Sequence, residues 1–231
     1  SLKYRASPEV NIVSIEDPIE MVVEEFNQVS VRTNIGISFA SALRTILRQD
    51  PDIVMVGEVR DADTASNAVQ AALTGHLVLA TLHTNDSGSA VGRMLDLDVE
   101  PFMLSSTRCG IVAQRLLRLI CQHCRRKTFL TAEQINILGM KMPEDDERKL
   151  PVYYGEGCPA CRGTGYFGRT AIYEVLPVSS KIVKMINARE ATKEIMKAAR
   201  LDGMMTLREA AIKKLAQGLT TFDEVLRVTV E

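Results

Sequence analysis

Carboxylates follow two of the strands that the first half of the sequence predicts. One apolar strand runs directly into Glu16 and Asp17, with Glu20 shortly after, and another ends just before Glu58. Carboxylates grouped at one sheet edge repel one another unless a cation or a basic group compensates their charge. A Mg²⁺–nucleotide complex is one such compensator, and a carboxylate beside it can hold the metal or polarise water. Acidic residues also end strands without any such role, so the pattern alone leaves both interpretations open.

Two histidines flank a third apolar segment, residues 77–82. His76 precedes this segment and His83 follows it. An imidazole can donate a hydrogen bond to developing phosphoryl charge or respond to the state of a bound nucleotide. A single histidine is more often structural, but two of them beside acidic strand ends keep a functional role open.

Four of the five cysteines form two CxxC pairs, Cys121 with Cys124 and Cys158 with Cys161. Paired thiolates on two tight turns can converge on one tetrahedral metal, and a filled four-thiolate shell is typical of structural zinc. In a chain without an export signal, this pattern favours a metal over disulfides. Unrelated reduced thiols and a redox-active CxxC are the alternatives.

Composition limits the classes of partner. The 231 residues are 46% hydrophobic and 25% charged, as in an ordinary globular protein with one or two domains. The formal net charge of −1 provides no global basic field for nucleic acid. No apolar stretch approaches the roughly 18–20 residues of a membrane span, and the N-terminus lacks the apolar run of a signal peptide.

Alternating apolar runs and helical patterns over residues 1–120 predict an α/β domain with a largely parallel sheet. The expected strands are 11–15, 53–56 and 77–82, and the expected helices are 38–47, 61–73, 87–97 and one from Pro101 toward Leu119. Ligands bind at the carboxyl edge of such sheets, which is where the acidic side chains and His83 are expected.

The rest of the chain differs in residue composition. Residues 121–168 contain the cysteine pairs and an acidic patch at 144–147, and we interpret them as a small zinc-binding module. Residues 169–231 are expected to form a mostly helical subdomain after a strand at 170–175. Two capping boxes are predicted there, Thr206 with Glu209 and Thr221 with Glu224. Cys109 is expected to be a packing residue on a helix, and His123 is not expected to bind metal.

Several segments resemble the motifs of one ATPase family. NIVSIEDPIE, DPDIVMVGEVRD and TGHLVLATLHTNDS are similar to the Asp, Walker B and His boxes of type II secretion and type IV pilus assembly ATPases. The resemblance continues through CPACRGTGYFGR and MTLREAAIKKLAQGLTTFDEVLRVT, and so covers nearly the whole chain in the family's order. It implies a RecA-like P-loop NTPase core, truncated at its N-terminal side, with a zinc-binding insertion and a C-terminal helical subdomain.

The resemblance also implies roles for particular residues. The catalytic set is Glu16, Glu20, Glu58 and His83, the cofactor-binding set is Asp17, Arg60 and His76, and the zinc ligands are Cys121, Cys124, Cys158 and Cys161. One of the two Asp-box glutamates is expected to position or activate the attacking water, and Glu58 to act near Mg²⁺. Retraction ATPases generally lack the cysteine-containing insertion, so secretion or pilus extension is favoured.

The sequence contains no phosphate-binding loop of the form GxxxxGK(S/T). The nearest segment, 163–170, has arginine in place of lysine and leads into a predicted strand, whereas a phosphate-binding loop needs a helix N-terminus behind it. The resemblance therefore implies a truncated chain: ATP and Mg²⁺ would bind the complete protein, and this chain alone would hydrolyse ATP negligibly. A degenerate protein that binds nucleotide without turnover is the alternative.

The same resemblance implies a cytoplasmic homo-hexamer, peripherally associated with the inner membrane through platform proteins. Two other functions stay open: a zinc-stapled nucleic-acid-binding RecA-like module and a non-catalytic docking domain. Basic residues around the first cysteine pair bear on the former: Arg115, Arg118, Arg125, Arg126 and Lys127. Aromatic residues that could stack bases are scarce there, so a solvated or inter-subunit face is favoured and no nucleic-acid partner is expected.

Overall fold

A computed structural model of the chain describes residues 2–107, 110–140 and 150–229. The chain divides into two compact units, each assembled from two separate stretches. The first unit is 1–111 with 177–199, and the second is 112–176 with 200–231. The sequence predicted three consecutive segments, 1–120, 121–168 and 169–231, from changes in local composition. That division stays a prediction.

The described residues form eight strands and ten α-helices. The strands are β1 (Ile12–Glu16), β2 (Asn27–Ser30), β3 (Ile53–Val56), β4 (Leu77–Ala80), β5 (Gly110–Ile120), β6 (Arg125–Phe129), β7 (Pro151–Gly155) and β8 (Tyr166–Pro177). The helices are α1 (Leu2–Arg5), α2 (Phe39–Ile46), α3 (Ala62–Leu73), α4 (Ser87–Asp96), α5 (Pro101–Ser106), α6 (Ala132–Leu138), α7 (Ser180–Asn187), α8 (Thr192–Leu201), α9 (Leu207–Ala216) and α10 (Phe222–Thr229). None of these helices is long and apolar enough to cross a bilayer.

The first unit contains a four-stranded parallel sheet in the order β2-β1-β3-β4. Its two central strands are buried on both faces, as their continuous apolar sequences predict. Ile15, Val54 and Val56 are fully buried. The α/β class and the parallel sheet expected from the sequence are therefore confirmed, although β2 was not predicted.

Short polar side chains start the helices that follow the strands. Ser38 accepts a hydrogen bond from the backbone of Ser41 at the start of α2. Asp61 and Asp86 cap α3 and α4 in the same way. Such caps satisfy backbone donors that a helix start leaves free, and they fix where each helix begins after the sheet edge.

The second unit is built from two pairs of strands, β5 with β8 and antiparallel β6 with β7, together with α6, α9 and α10. Leu117 of β5, Ile172 of β8, Leu215 of α9 and Val225 of α10 belong to one buried cluster. This unit therefore has an apolar core of its own, separate from its cysteine cluster.

The predicted helix from Pro101 toward Leu119 is wrong. The helix ends at Ser106, and the sequence from Gly110 is strand β5, which pairs with β8. Alternating burial along β5 shows a period of two, which a helical interpretation of its apolar residues missed. Cys109 and the acidic patch at 144–147 lie outside the described residues.

Only one of the two predicted capping boxes is complete. At the start of α9, Thr206 and Glu209 exchange both hydrogen bonds, as predicted. At the start of α10, Thr221 accepts from the backbone of Glu224, but the Glu224 carboxylate binds Arg118 and Arg227 instead of returning to the cap. Ion pairing with two guanidinium groups is stronger than the second bond of a capping box.

Candidate functional site

The carboxyl ends of β1 and β3 meet at a topological switch point of the sheet. The chain leaves β1 for β2 on one side, and then crosses to β3 on the other side of β1. Ile15 is paired with Val56 in the parallel register, so Glu16 and Gly57 follow at neighbouring strand ends, about 4.8 Å apart in strand spacing. Open α/β sheets bind ligands in the crevice at such a point.

Glu58 lies at this edge and contacts two basic side chains. Its Oε2 is 2.5 Å from the Arg60 guanidinium, and its Oε1 is 2.9 Å from Nε2 of His83. The hydrogen bond from Arg60 lowers the pKa of Glu58 against an opposing effect of burial, and the charges of Arg60 and His83 act in the same direction. Glu58 therefore stays ionised, with a side chain only 15% exposed.

A backbone constraint positions Glu58. A Cβ added to Gly57 would lie 2.8 Å from the carbonyl oxygen of Ile15, so a larger residue does not fit against β1. The Gly57 amide donates to that same carbonyl, and the Thr81 hydroxyl donates to the Gly57 carbonyl. The hydrogen bonds of the sheet thus continue beyond the ends of the strands. They fix the backbone next to Glu58 and in the segment that leads to His83.

Glu16 is held by two side chains of the sheet. Ser14 Oγ donates to Glu16 Oε1 at 2.6 Å, and Gln28 Nε2 donates to the same oxygen at 2.9 Å. Ser14 is completely buried, whereas Glu16 is partly exposed at the strand end. The carboxylate is therefore anchored through one oxygen.

Asp17 and Glu20 follow in the loop after β1, and both are exposed. The negative charge of Asp17 adds to that of Glu58 in raising the pKa of Arg60. The structure thus places Asp17 in the electrostatic field of the Glu58 pair. It shows no comparable contact for Glu20 among the residues described.

His76 lies at the opposite end of β4 from His83. Its Nδ1 is 3.0 Å from the carbonyl oxygen of Ala71 and 3.1 Å from the Thr74 hydroxyl, at the start of the strand. The four residues of β4 span about 13 Å, so the structure does not bring His76 to Glu58. The nucleotide-binding role expected for His76 stays a prediction.

The four cysteines of the two CxxC pairs form a compact cluster in the second unit. All four Sγ atoms lie within 4.8 Å of one another, and none of these cysteines is in a disulfide. The Sγ separations are 3.8 Å for Cys121–Cys158, 3.9 Å for Cys124–Cys161 and 3.7 Å for Cys158–Cys161. A tetrahedral shell with metal–sulfur bonds of about 2.3 Å requires sulfur atoms about 3.8 Å apart, so the donor set fits a metal ion.

Backbone amides support the thiolates of this cluster. Gly157 N–H donates to Cys124 Sγ at 3.3 Å, and the amides of Cys158 and Gly165 donate to Cys161 Sγ at 3.2 and 3.3 Å. Burial raises the pKa of Cys124 to about 12. Burial acts in the same sense on Cys161, but hydrogen bonds from those amides and the neighbouring thiols outweigh it and lower the pKa to about 6. The exposed His123 is not part of the cluster.

Glycines lie on both sides of the second cysteine pair and allow close backbone contacts beside this cluster. Gly155 and Gly165 approach so closely that a Cβ on either one would meet the other's backbone within 2.4 Å. Gly163, Gly165 and Gly168 all have positive φ, which glycine adopts without strain. The turn at 163–165 leads into strand β8 and not into a helix, so the prediction that this segment is not a phosphate-binding loop is confirmed. Residues 166–170, which were expected to belong to the turn, are instead the start of the strand.

Several basic side chains near the first cysteine pair have partners within the second unit. Arg118 is paired with Glu224 at 2.6 Å, and Arg126 with Glu156 at 3.1 Å. The Arg125 guanidinium lies 3.7 Å from the centroid of the Tyr153 ring. At least three of the five basic residues around the first cysteine pair therefore have partners within the chain, which disfavours a nucleic-acid interface.

Comparison with known proteins agrees with this geometry. The family model described as "Type II/IV secretion system protein" matches residues 1–227. The chain belongs to this family. Over 230 residues it is 47% identical to the type IV pilus assembly ATPase PilB of Thermus thermophilus, and over 225 residues it is 43% identical to the type II secretion system ATPase E of Vibrio cholerae. Among solved structures, it superposes on the pilus retraction motor PilT with bound ADP at a TM-score of 0.70 and 28% identity.

These matches cover the chain almost completely but only part of each relative. The alignments take in 100% and 97% of this chain, yet 26% of the Thermus protein and 44% of the Vibrio protein. The match to the PilT structure covers 100% of this chain and 56% of that one. The chain therefore spans less than half the length of the Thermus and Vibrio proteins.

Two residues of the site were missed at the level of sequence, Ser14 and Gln28. Ser14 interrupts an otherwise apolar strand two positions before Glu16, which places both side chains on one face of the sheet. A hydroxyl within this apolar strand could have been predicted to contact Glu16. The role of Gln28 could not be predicted from the sequence, because its strand was not predicted. Its pairing with Ser14 depends on the register of two strands.

Proposed function

We propose that this chain supplies the water-activating carboxylates of an ATP-hydrolysing motor for type II secretion or type IV pilus assembly. The observation that carries the proposal is the meeting of Glu16 and the paired Glu58 at the switch point of the parallel sheet. The names of the relatives, a pilus assembly ATPase and a secretion ATPase, support the machine assigned to it.

Each residue has a task that its position allows. Bound Mg²⁺ would neutralise charge on the phosphate oxygens of the substrate ATP. Glu58, kept ionised beside Arg60, would hold or orient water close to the metal, and Glu16 would orient the attacking water. His83 contacts Glu58 from a largely exposed position, so it can exchange that contact for one with phosphate.

The complete motor requires elements that this sequence does not contain. No GxxxxGK(S/T) loop is present to hold the β- and γ-phosphates, so hydrolysis by the chain alone is expected to be negligible. The family resemblance supports a homo-hexamer that works on the cytoplasmic side and docks to inner-membrane platform proteins. Zinc is the proposed occupant of the cysteine cluster, with a structural role, because four thiolates leave no open position.

Glu58→Gln in the full-length protein tests the proposed function. The amide keeps the size of the side chain but removes the negative charge that would hold water close to the metal, so the hydrolysis rate is expected to fall at least 100-fold. Binding of Mg-ATP, measured by isothermal titration, is expected to persist. Glu190→Gln removes an exposed carboxylate from the same unit and is expected to change neither quantity. Undiminished hydrolysis in Glu58→Gln would refute the proposal.

A further inference from the structure

The side-chain amide of Gln28 on β2 joins the loop after β1, residues 17–23, to Glu16. The register pairs Gln28 with Ser14, and directly paired residues of neighbouring strands project to the same face. Glu16, two residues beyond Ser14, projects to that face as well. Gln28, Ser14 and Glu16 are therefore brought together by strand register alone.

The Gln28 amide makes three hydrogen bonds that use both of its ends. Its Nε2 donates to Glu16 Oε1 at 2.9 Å and to the carbonyl oxygen of Met21 at 3.1 Å. Its Oε1 accepts from the backbone amide of Val23 at 2.7 Å. The opposite orientation of the amide would put its oxygen against two acceptors and its NH₂ against a donor, so the orientation is determined.

These contacts require glutamine at this position. A donor pair must face the carboxylate of Glu16 and the Met21 carbonyl, while an acceptor must face the Val23 amide. Glutamate would keep the acceptor but replace the donors with negative charge, and methionine would remove all of the hydrogen bonds at nearly the same length. Comparing the two substitutions therefore separates the donor function of the Gln28 amide from its acceptor function.

We propose that Gln28, assisted by Ser14, is a positioning residue for hydrolysis. Both side chains donate to Oε1 of Glu16, which fixes the rotation of the carboxylate and leaves Oε2 without a hydrogen-bond donor among the residues described. The Met21 and Val23 contacts fix the loop that carries Asp17 and Glu20 relative to the same carboxylate. This inference rests on the proposed function, because it gives Glu16 the task of orienting water.

The order of two variants tests the proposal in the full-length protein. Gln28→Met loses the donors to Glu16, so kcat is expected to fall about 10- to 100-fold with little change in KM, as for a misplaced catalytic group. Gln28→Glu puts like charge against Glu16 and is expected to be worse still. Ser14→Ala, which removes the second donor to the same oxygen, is expected to lower kcat about tenfold.

If Gln28 only stabilised the loop and did not position Glu16, the kcat values of the two variants would have the reverse order. If Gln28 served only to hold the loop through the Val23 amide, glutamate would conserve that acceptor and methionine would be the more damaging change. Hydrogen exchange of residues 17–23 reports this contact separately, and faster exchange is expected in Gln28→Met than in Gln28→Glu. Equal kcat values for the wild type and Gln28→Glu, or a methionine variant slower than the glutamate variant, would overturn the proposal.

Two controls separate this inference from the proposed function. Gln70→Glu makes the same change of charge on an exposed position of α3 and is expected to keep wild-type kcat. Glu16→Gln is expected to abolish hydrolysis. If the wild type itself does not hydrolyse ATP, the proposed function fails and this inference with it. If the wild type is active and Glu16→Gln remains active, the task proposed for Glu16 is overturned together with the positioning role of Gln28, while ATP hydrolysis by the motor stands.

Discussion

At the scale of single residues, the site is defined by how its charges are compensated. Glu58 holds two basic partners, Arg60 and His83, and its side chain is mostly buried while both partners are largely exposed. The pKa of Glu58 is lowered chiefly by the hydrogen bond from Arg60. Ionisation of the carboxylate therefore depends on a residue two positions along the chain, and not on the depth of the crevice.

Arg60→Gln is expected to move the acid limb of the activity profile of the full-length protein to higher pH. Because Arg60 lowers the pKa of Glu58, its loss lets that pKa rise, so the carboxylate protonates at a less acidic pH. The pH dependence of kcat/KM reports this ionisation in the free enzyme. Arg44→Gln, which removes an exposed arginine of α2, serves as the control and should leave the limb in place. An unchanged acid limb in Arg60→Gln would contradict the assignment.

At the scale of elements, close contacts between neighbouring backbones place the functional groups. Gly57 lets the end of β3 pass against β1, and the paired glycines 155 and 165 let two segments of the cysteine module meet. In both places a side chain would push apart the groups that follow in sequence. The helices contribute through their caps, which fix where α3 and α4 leave the sheet edge.

Gly57→Ala is expected to destabilise the protein by about 1–3 kcal/mol, as overpacking does in a close-packed site. The added methyl group would lie 2.8 Å from a backbone oxygen of β1, which cannot move without disturbing the central strands. Urea unfolding followed by circular dichroism measures the loss. Gly92→Ala is the matched control: its methyl group meets only the Thr192 hydroxyl at 3.5 Å, and alanine favours the helix, so no loss is expected. Equal stability of both variants would refute the steric argument.

The cysteine cluster gives a second prediction at this scale. Full-length protein is expected to contain one zinc ion per chain by atomic emission, and Cys161→Ser to lose it together with part of its stability. The four Sγ atoms already have the spacing of a tetrahedral shell, so removal of one donor opens it. Cys124→Ser should behave as Cys161→Ser does, whereas His123→Ala should retain the metal, and loss of zinc in the latter would contradict the four-cysteine assignment.

At the scale of the whole molecule, each unit has its own internal stabilisation. The first unit depends on a buried parallel sheet, while the second combines an apolar core with ion pairs around one buried carboxylate. Glu224 is fully buried and bound by Arg118 and by Arg227, which lies 2.7 Å away. Burial raises the pKa of Glu224, but the hydrogen bonds from Arg227 and Arg118 outweigh it and lower the pKa to about 2.

This network predicts how stability changes with acid. Because the pKa of Glu224 falls from 4.5 to about 2 on folding, its contribution is complete above pH 4.5 and is lost as the pH falls toward 2. Glu224→Gln loses the charged hydrogen bonds with two half-exposed guanidinium groups and is expected to cost about 1.5–3 kcal/mol near neutral pH. Urea unfolding at a series of pH values tests both points. The variant should lose less stability than the wild type between pH 4.5 and 2, and the exposed Glu133→Gln should follow the wild type.

Parts of the site were predictable because they depend on local sequence. The apolar runs of β1, β3 and β4 and the polar residues that end them indicated an α/β sheet with functional groups at one edge, and the CxxC spacing indicated the metal cluster. Local periodicity failed at β5, where the partner strand β8 decided the conformation. It also failed at Glu224, where two arginines distant in sequence or in the next turn outcompeted the helix cap.

The sequence by itself determined which chemistry is present: carboxylates after buried strands, two histidines, and thiols in two close pairs. Only the tertiary structure decided which of these groups meet. Strand register joins Gln28 and Ser14 to Glu16, and the direction of β4 sends His83 to Glu58 while it leaves His76 at the far end. Register and strand direction are set by pairing between segments distant in the chain, so they are not encoded in any one motif.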